Sequence, residues 1–322
     1  MKAAVYYENG GPEVFRVEDV PLPTCAPDGV LIKVSSISIE GGDQISRETV
    51  PPVNTPHIVG YQCAGEILEV GSEVRDRLVG QRVVCIVSWG SHAEYVAAPA
   101  AMTWPLPPSL NIDIASAVPV AFATANECLF TVGNLQKGQS VLIHGGSGAL
   151  GLAAIQMAVH AGASVFTTSS DDAKLERLKS YGPVVTINNV RENFVEAIRA
   201  QTGGVGIDLV VDSIAGKTLP LSVATLKFGG RAIFVGVSGR DLEGFDPFAL
   251  WPNCTSLHGV YMPRAFEADY VRNHAVVADC LDKVARGELK VDIDRVFSLS
   301  DVVPAYEYLQ SRKGFGRVLL RP

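Results

Sequence analysis

Three glycines have the spacing that a phosphate-binding turn requires, Gly145-x-x-Gly148-x-x-Gly151. The apolar run at 141–143 predicts a buried strand before them, and apolar residues within 149–161 recur at helical spacing. This order places backbone N–H groups at a helix N-terminus, in a space without side chains that suits a pyrophosphate. We predict a dinucleotide site at this turn, formed by Gly145, Ser147, Gly148, Ala149, Leu150 and Gly151.

The next predicted strand, 164–168, is followed by Ser169-Ser170. Sites that prefer NAD place an Asp or Glu there, because its carboxylate binds both ribose hydroxyls and repels a 2′-phosphate. Serine hydroxyls instead donate to a phosphate, and Lys174 one helical turn later can add a cation. We therefore predict NADPH, with NADH possible, and assign Ser169, Ser170 and Lys174 to its binding.

A structural alternative exists for the same segment. Ser170 can simply cap the following helix, with Asp171 and Asp172 complementing the helix dipole. The two aspartates also argue against a phosphate beside them, so the sequence leaves both interpretations open.

Strands and helices alternate around the glycine turn, a pattern that predicts a doubly wound parallel sheet. The predicted strands are 141–144, 164–168, 184–187, 207–212, 231–235 and 256–260, and a single helix is predicted at 266–286. Residues 3–98 instead show mostly strands separated by glycine and proline, which predicts a β-rich, barrel-like domain. The helical pattern at 112–133 marks the boundary between the two. Strand, helix and strand end the chain, around 295–298, 301–311 and 317–320.

Composition excludes several classes of partner. The 322 residues carry a net charge of −7 and show no run of lysine and arginine, which argues against nucleic acid or an anionic membrane. No stretch has the length of a membrane helix and the N-terminus lacks a secretory apolar region, so the cytoplasm is the expected location. The six scattered cysteines include no C-x-x-C pair, which argues against a disulfide framework.

Several linked motifs occur in one order along the chain, namely Gly-Gln-Arg-Val-Val at 80–84, His-Ala-Glu-Tyr-Val at 92–96, the 141–157 stretch, Gly-Ile-Asp-Leu-Val-Val-Asp at 206–212 and Gly-Arg-Val-Leu-Leu-Arg-Pro at 316–322. With these motifs the chain resembles the zinc-independent medium-chain dehydrogenase/reductases, in the quinone oxidoreductase and enoyl reductase branch. The resemblance implies a GroES-like β-barrel domain, residues 1–121 with 265–322, and a Rossmann domain, residues 122–264. It also implies a site in the cleft and a homodimer.

The resemblance assigns further residues to the cofactor. It implies that Thr124 and the segment Val235-Gly236-Val237 hold the nicotinamide end. Asn189 stands where relatives often carry a tyrosine that faces the 2′-phosphate. Arg317, near the end of the chain, is expected to meet a cofactor phosphate or an anionic substrate.

The positions that bind zinc in alcohol dehydrogenases resembling this chain carry other residues here. Those enzymes use a Cys in Cys-Gly-x-Asp, a His in Gly-His-Glu and a second Cys, whereas this chain has Glu40, Tyr61 and Val120. A carboxylate, a phenol and an aliphatic carbon do not form the usual nitrogen and sulfur tetrahedron, so no metal is expected. Without a Lewis acid, reduction of a quinone or an α,β-unsaturated carbonyl by NADPH fits better than alcohol oxidation.

Tyr61, Glu40 and Asp43 are the predicted catalytic residues. We hypothesise that Tyr61 donates a hydrogen bond or proton to the acceptor, while Asp43 or Glu40 orients it. The alternative is that Tyr61 fills the space of the missing zinc and that Glu40 pairs with a lysine or arginine.

Aromatic and sulfur-containing side chains can wall an apolar substrate pocket. We assign Trp89, Trp251, Tyr261 and Met262 to it, with the protein core or a dimer interface as the alternative. The loops at 44–57 and 240–252 are expected to meet the acceptor, but their shape cannot be read from the sequence.

Two other functions stay open. The 145–170 segment also resembles enoyl reductase domains of polyketide synthases, which makes an enoyl-thioester reductase acting on CoA or acyl carrier protein a rival. Enoyl reductases of the mitochondrial type commonly carry a tyrosine a few residues after the position of Asp43, and this chain has none there. The chain also lacks a basic patch for the diphosphate of CoA, and both absences argue against this second function. From another class, some relatives are non-catalytic lens crystallins or bind RNA, and the acidic charge balance disfavours RNA binding here.

Overall fold

A computed structural model describes residues 1–241 and 244–322 of the chain. The chain forms two compact units, Met1–Val120 with Val277–Pro322, and Ala121–Val276. The sequence analysis placed the second boundary between residues 264 and 265, whereas the structure has it inside a later helix. Leu242 and Glu243, within the predicted acceptor loop 240–252, lie outside the described residues.

The N-terminal part of the first unit is built mainly from short strands. Its elements are β1 (Lys2–Tyr6), β2 (Arg16–Asp19), β3 (Gly29–Ser38), α1 (Gly41–Thr49), β4 (His57–Ile58), β5 (Gln62–Val70), β6 (Arg82–Ile86), β7 (Tyr95–Pro99), β8 (Thr103–Pro105) and α2 (Ile112–Ser116). The longest strand, β3, pairs antiparallel with both β5 and β7. Its alternating buried residues, among them Val30, Ile32 and Val34, enter the hydrophobic core of this unit.

The second unit alternates strands and helices. Its elements, beginning with a helix that crosses the unit boundary, are α3 (Pro119–Asn126), β9 (Ser140–Ile143), α4 (Ala149–His160), β10 (Ser164–Ser169), α5 (Asp172–Leu178), β11 (Val184–Asn188), α6 (Phe194–Gln201), β12 (Ile207–Asp212), α7 (Thr218–Ala224), β13 (Leu226–Phe234), β14 (Ser256–Gly259), α8 (Met262–Ala268) and α9 (Tyr270–Ala285). The six strands are all parallel, in the order β11-β10-β9-β12-β13-β14. This confirms the predicted doubly wound sheet, whose strand order reverses between β9 and β12.

The end of the chain returns to the first unit. It consists of β15 (Ile293–Ser298), α10 (Val302–Gln310) and β16 (Arg317–Arg321). Strand β16 pairs antiparallel with β3, so that Leu320 lies opposite Ile37, and both side chains are fully buried. The C-terminal strand therefore completes the sheet of the barrel-like unit, as the resemblance implied.

Two regions differ from the predicted elements. Residues Gly41–Thr49 form a helix where the sequence analysis expected mostly loop, because two adjacent glycines hide its helical propensity. The single helix expected at 266–286 is two helices, α8 and α9, since the backbone of Asp269 leaves the helical conformation. No helix within the two described ranges is long and apolar enough to cross a membrane.

Candidate functional site

The first unit buries an ion pair between Glu40 and Arg317. Each residue is about 5% exposed, and the Nη1 group of Arg317 donates to Oε2 of Glu40 at 2.6 Å. The Nη2 group of the same guanidinium donates to the carbonyl oxygen of Ala117 at 3.3 Å. Since a buried charge without a partner is strongly destabilising, each member of the pair requires the other.

Gln62 fixes the other carboxylate oxygen of Glu40. Its Nε2 group donates to Oε1 at 3.2 Å, and the Ser38 hydroxyl donates to the same atom at 3.0 Å. The amide also donates to the Ser116 carbonyl, while its own oxygen accepts from the Val120 N–H at 2.7 Å. Both oxygens of Glu40 are therefore occupied by donors of the chain. Sequence analysis did not identify Gln62, because a single buried amide leaves no spacing pattern.

Asp43 organises the first turn of α1 beside this pair. Its Oδ2 atom accepts from the Glu40 N–H at 2.8 Å, and the side chain is fully buried. Burial raises the pKa of Asp43 well above its usual range, and the negative charge of Glu40 adds to this, while the Glu40 N–H and the Arg317 guanidinium oppose it. The carboxyl group of Asp43 therefore holds the start of the helix that carries Gly42.

Tyr61 packs its ring directly over Gly42. A Cβ atom at Gly42 would lie 2.7 Å from the Tyr61 hydroxyl, so only glycine leaves room for the phenol. Burial raises the pKa of Tyr61 well above its ordinary value of 10.0, and the charges of Glu40 and Asp43 raise it further. In the part of the chain that the structure describes, the hydroxyl donates no hydrogen bond. The site therefore presents a neutral phenol whose proton is available to a bound molecule.

The side chains at the three positions compared above with the zinc ligands of alcohol dehydrogenases do not fit zinc. Glu40 is committed to Arg317, Gln62 and Ser38, Tyr61 is held in its neutral form, and Val120 has no ligand atom in its side chain. Across residues 1–241 and 244–322, no group of three or more His, Cys, Asp or Glu side chains is placed to hold a metal ion.

The second unit brings most of the predicted cofactor residues to one edge of its sheet. The glycine turn follows β9, Ser169 ends β10, Asn189 follows β11, and residues 235–237 follow β13. In a parallel sheet the carboxyl ends of all strands lie at the same edge, and the reversal of strand order there opens a crevice for a dinucleotide. Thr124 belongs to the same unit, where it is buried on α3.

The glycine turn forms a cradle that larger residues would block. Gly145 has a positive φ of 65°, and a Cβ atom at Gly146 would lie 2.1 Å from the Thr167 hydroxyl. A Cβ atom at Gly151 would lie 2.4 Å from the Gly145 carbonyl oxygen, so α4 approaches the turn only with glycine there. The helix begins after Gly148 with no side chain capping it, which leaves its first N–H groups for a phosphate. The cradle fits the pyrophosphate of a dinucleotide.

A buried polar network supports the strands behind this turn. His144, which follows β9, contacts the Thr168 hydroxyl through Nδ1 at 2.9 Å and the Ser222 hydroxyl through Nε2 at 3.0 Å. Ser222 in turn donates to the Asp212 carboxylate at 2.7 Å. Burial lowers the pKa of His144, so the ring stays neutral and links three strands with α7.

The end of β10 carries the residues predicted for the 2′-phosphate. Ser169 is buried and Ser170 is exposed, and the Asn189 N–H donates to the Ser169 carbonyl at 3.2 Å. Asp171, rather than Ser170, caps α5, because its carboxylate accepts from the Lys174 N–H at 3.0 Å. The structural alternative for Ser170 is thereby corrected, and its hydroxyl is left at the surface.

Two further assignments are corrected by the positions of the side chains. Arg317 was expected at the cofactor, but its guanidinium is buried and its charge is compensated by Glu40. Trp251 was expected in the substrate pocket, but it stacks on Phe248 just before the amino end of β14. The glycine turn lies at the carboxyl ends of the strands, whereas Trp251 lies at their amino ends, on the opposite side of the sheet from the turn.

The other proposed pocket residues belong to different units. Tyr261 and Met262 follow the carboxyl end of β14, where Tyr261 helps to line a shallow cavity of about 290 Å³ together with Glu127, Val132, Gly259, Val260, Arg264 and Ala265. Trp89 belongs to the first unit and is 45% exposed, with its ring 6.5 Å from that of His57.

The buried pair yields a prediction about stability. Glu40→Gln leaves the Arg317 charge buried and unpaired, so we expect the free energy of unfolding to fall by about 3–5 kcal/mol in urea denaturation. In Glu40→Gln/Arg317→Met both charges are gone, and the loss is expected to be smaller than the sum of the two single losses. Glu288→Gln, in the exposed Arg286 pair, is the control and costs less than about 1 kcal/mol. Additive losses in the double variant would contradict the pair's role.

Comparison with known proteins places the chain in a family. The sequence-family model for the alcohol dehydrogenase GroES-like domain matches residues 26–108. The family model for zinc-binding dehydrogenases matches residues 149–279. A 2-haloacrylate reductase from Burkholderia sp is 29% identical over 333 residues, covering 100% of this chain and 99% of that protein. The quinone oxidoreductase of Rattus norvegicus is 28% identical over 327 residues, covering 99% of this chain and 97% of that protein.

Solved structures and larger proteins extend the likeness. A mycobacterial protein solved in complex with NADPH has a TM-score of 0.95 at 28% identity, with 100% of both chains covered. Highly-reducing polyketide synthase 1 of Aureobasidium melanogenum is 32% identical over 312 residues, which span 96% of this chain but only 14% of the synthase. Together with the fold, these findings confirm the resemblance that the motifs indicated: the chain belongs to the medium-chain dehydrogenase/reductase family, in its zinc-independent, quinone oxidoreductase branch.

Proposed function

We propose that this enzyme uses NADPH to reduce a quinone or an α,β-unsaturated carbonyl compound without a metal. The observation that carries the proposal is the neutral Tyr61 phenol at a former zinc position, beside a carboxylate that is already paired with Arg317. A hydrogen-bond donor there suits an acceptor oxygen that gains negative charge, and such an acceptor needs less polarisation than a simple ketone.

The second unit supplies the residues for NADPH. The glycine turn and the N–H groups at the start of α4 suit the pyrophosphate, and Ser169, Ser170, Lys174 and Asn189 suit the 2′-phosphate. Thr124 and the segment Val235-Gly236-Val237 remain the residues proposed for the nicotinamide end. When bound, NADPH supplies the hydride.

Reduction of the acceptor also requires a proton. The Tyr61 hydroxyl is proposed to donate a hydrogen bond, and then its proton, to the oxygen or α-carbon of the reduced acceptor. Because the raised pKa disfavours a lasting phenolate, Tyr61 recovers its proton from water before the next turnover. Glu40 and Asp43 act as positioning residues, since their contacts hold Gly42 and the start of α1 against the phenol ring.

The names of the relatives support this substrate class and one alternative. Both the quinone oxidoreductase and the 2-haloacrylate reductase are named for conjugated acceptors, and the chain covers nearly all of either protein. The match to a segment of a polyketide synthase favours the second candidate, an enoyl-thioester reductase. A conjugated carbonyl is common to all three substrates. A cytoplasmic location stays a prediction of the sequence.

The first test measures the acceptor directly. We expect NADPH oxidation by the purified protein with quinones, enones or 2-haloacrylates, and weaker oxidation of NADH. Initial rates against that panel, with crotonyl-CoA added for the enoyl-thioester candidate, separate the two functions. Oxidation of secondary alcohols with no reduction of any conjugated acceptor would overturn the proposal.

The second test concerns Tyr61. Tyr61→Phe keeps the ring over Gly42 but removes the donor, so we expect kcat to fall about 10²-fold with little change in KM. Because the phenol pKa is raised, the wild-type rate should show no loss from Tyr61 ionisation as the pH rises to about 10. Tyr308→Phe, at a partly buried phenol paired with Asp294, is the matched control. An unchanged kcat in Tyr61→Phe removes Tyr61 from the chemistry.

The third test concerns assembly, for which we also propose a homodimer. Strand β14 is an edge of the six-stranded sheet, and the stacked Phe248 and Trp251 beside its start are largely exposed. Light scattering after gel filtration should give twice the monomer mass, and Trp251→Glu should shift the mass toward the monomer. A wild-type mass equal to one chain would contradict the dimer.

A further inference from the structure

The Asp172 carboxylate, two residues after Ser170, binds groups from the end of the neighbouring strand. Its Oδ2 atom forms an ion pair with Nη2 of Arg191 at 2.5 Å, and its Oδ1 atom accepts from Nδ2 of Asn188 at 2.6 Å. Asp171 is engaged at the cap of α5. The two acids that argued against a phosphate at this place are therefore both engaged by donors of the chain.

The backbone brings Arg191 to the end of β10. Asn188, the last residue of β11, lies opposite Ser169 in the parallel register, and its side-chain oxygen accepts from the N–H groups of Val190 and Arg191. This turn folds the chain back over the strand ends, while the Asn189 N–H binds the Ser169 carbonyl. Arg191 is thus held within ion-pair distance of a residue next to the predicted phosphate site.

The Arg191 side chain is well placed to bind a phosphate. It is 71% exposed and Asp172 is 50% exposed, and ion pairs this exposed contribute little to stability. A guanidinium has five N–H donors in a planar fork, so one edge can stay on the carboxylate while another binds a phosphate in bidentate fashion. A 2′-phosphate carries close to two negative charges at neutral pH. It therefore attracts the Arg191 guanidinium more strongly than the single charge of the Asp172 carboxylate does.

We propose that Arg191 is the residue that makes the enzyme prefer NADPH to NADH, and that Asp172 holds its guanidinium ready when no cofactor is bound. The inference rests on the proposed place of the 2′-phosphate at Ser169 and Ser170. It adds a cation that sequence analysis missed, since an arginine three residues after a strand matched no expected position. Asp172, which looked unfavourable, becomes the group that orients this cation.

Binding measurements test the proposal without turnover. The dissociation constants of NADPH, NADH and 2′,5′-ADP are measured by calorimetry for the wild type, Arg191→Gln, Arg191→Lys and Asp172→Asn. A lost charge-assisted contact predicts that Arg191→Gln weakens NADPH and 2′,5′-ADP about tenfold or more, with NADH within about threefold. Arg191→Lys should recover part of the loss, and Asp172→Asn, which removes the charge that orients Arg191, should weaken NADPH by less than Arg191→Gln does.

Controls separate this proposal from the one on which it rests. Lys179→Gln removes an exposed cation of the same helical region, paired with Glu176, and should leave all three constants unchanged. If the wild type prefers NADPH and Arg191→Gln keeps the full preference, the role of Arg191 is overturned while the cofactor assignment stands. If Lys174→Gln alone abolishes the preference, Lys174 is the selecting cation. Equal wild-type affinities for NADPH and NADH overturn both proposals.

Discussion

The buried pair of Glu40 and Arg317 determines how the first unit can be built. A carboxylate and a guanidinium that are both about 5% exposed need donors and acceptors on every side, and Ser38, Gln62 and the Ala117 carbonyl provide them. These partners come from β3, β5, the segment after α2 and β16. The pair therefore fixes the relative positions of four segments, and Tyr61 follows because it adjoins Gln62.

The second unit could be predicted well, because its function depends on the backbone. Glycine spacing, strand periodicity and the lack of an acid at the end of β10 are all visible in the sequence, and the structure brings their residues to one edge of a parallel sheet. Side-chain partners could not be predicted in the same way. Asp171 and Asp172 looked alike in the sequence, but one caps a helix and the other binds Arg191, since those partners depend on how a turn folds.

The first unit was harder to predict for the same physical reason. Its strands were visible, but the helix Gly41–Thr49 was hidden by two glycines, one of which exists to make room for Tyr61. The sequence analysis left open whether Glu40 has a catalytic role or pairs with a lysine or arginine. Its partner, Arg317, comes from the far end of the chain. Gln62 is a buried polar link without any periodic signal. Trp251 was assigned by residue type alone, and its strand end places it away from the glycine turn.

Strand β16 has a consequence for the order in which the protein folds during synthesis. Arg317 follows Glu40 by 277 residues, so a ribosome makes the whole second unit before the counter-charge of Glu40 exists. Until then the nascent barrel carries an unpaired carboxylate in its interior and an open edge on β3. Contacts this distant in sequence slow folding and leave edges exposed to other chains. The second unit, which is continuous in sequence, is free to form first, and the first unit is completed only by the last strand to be made.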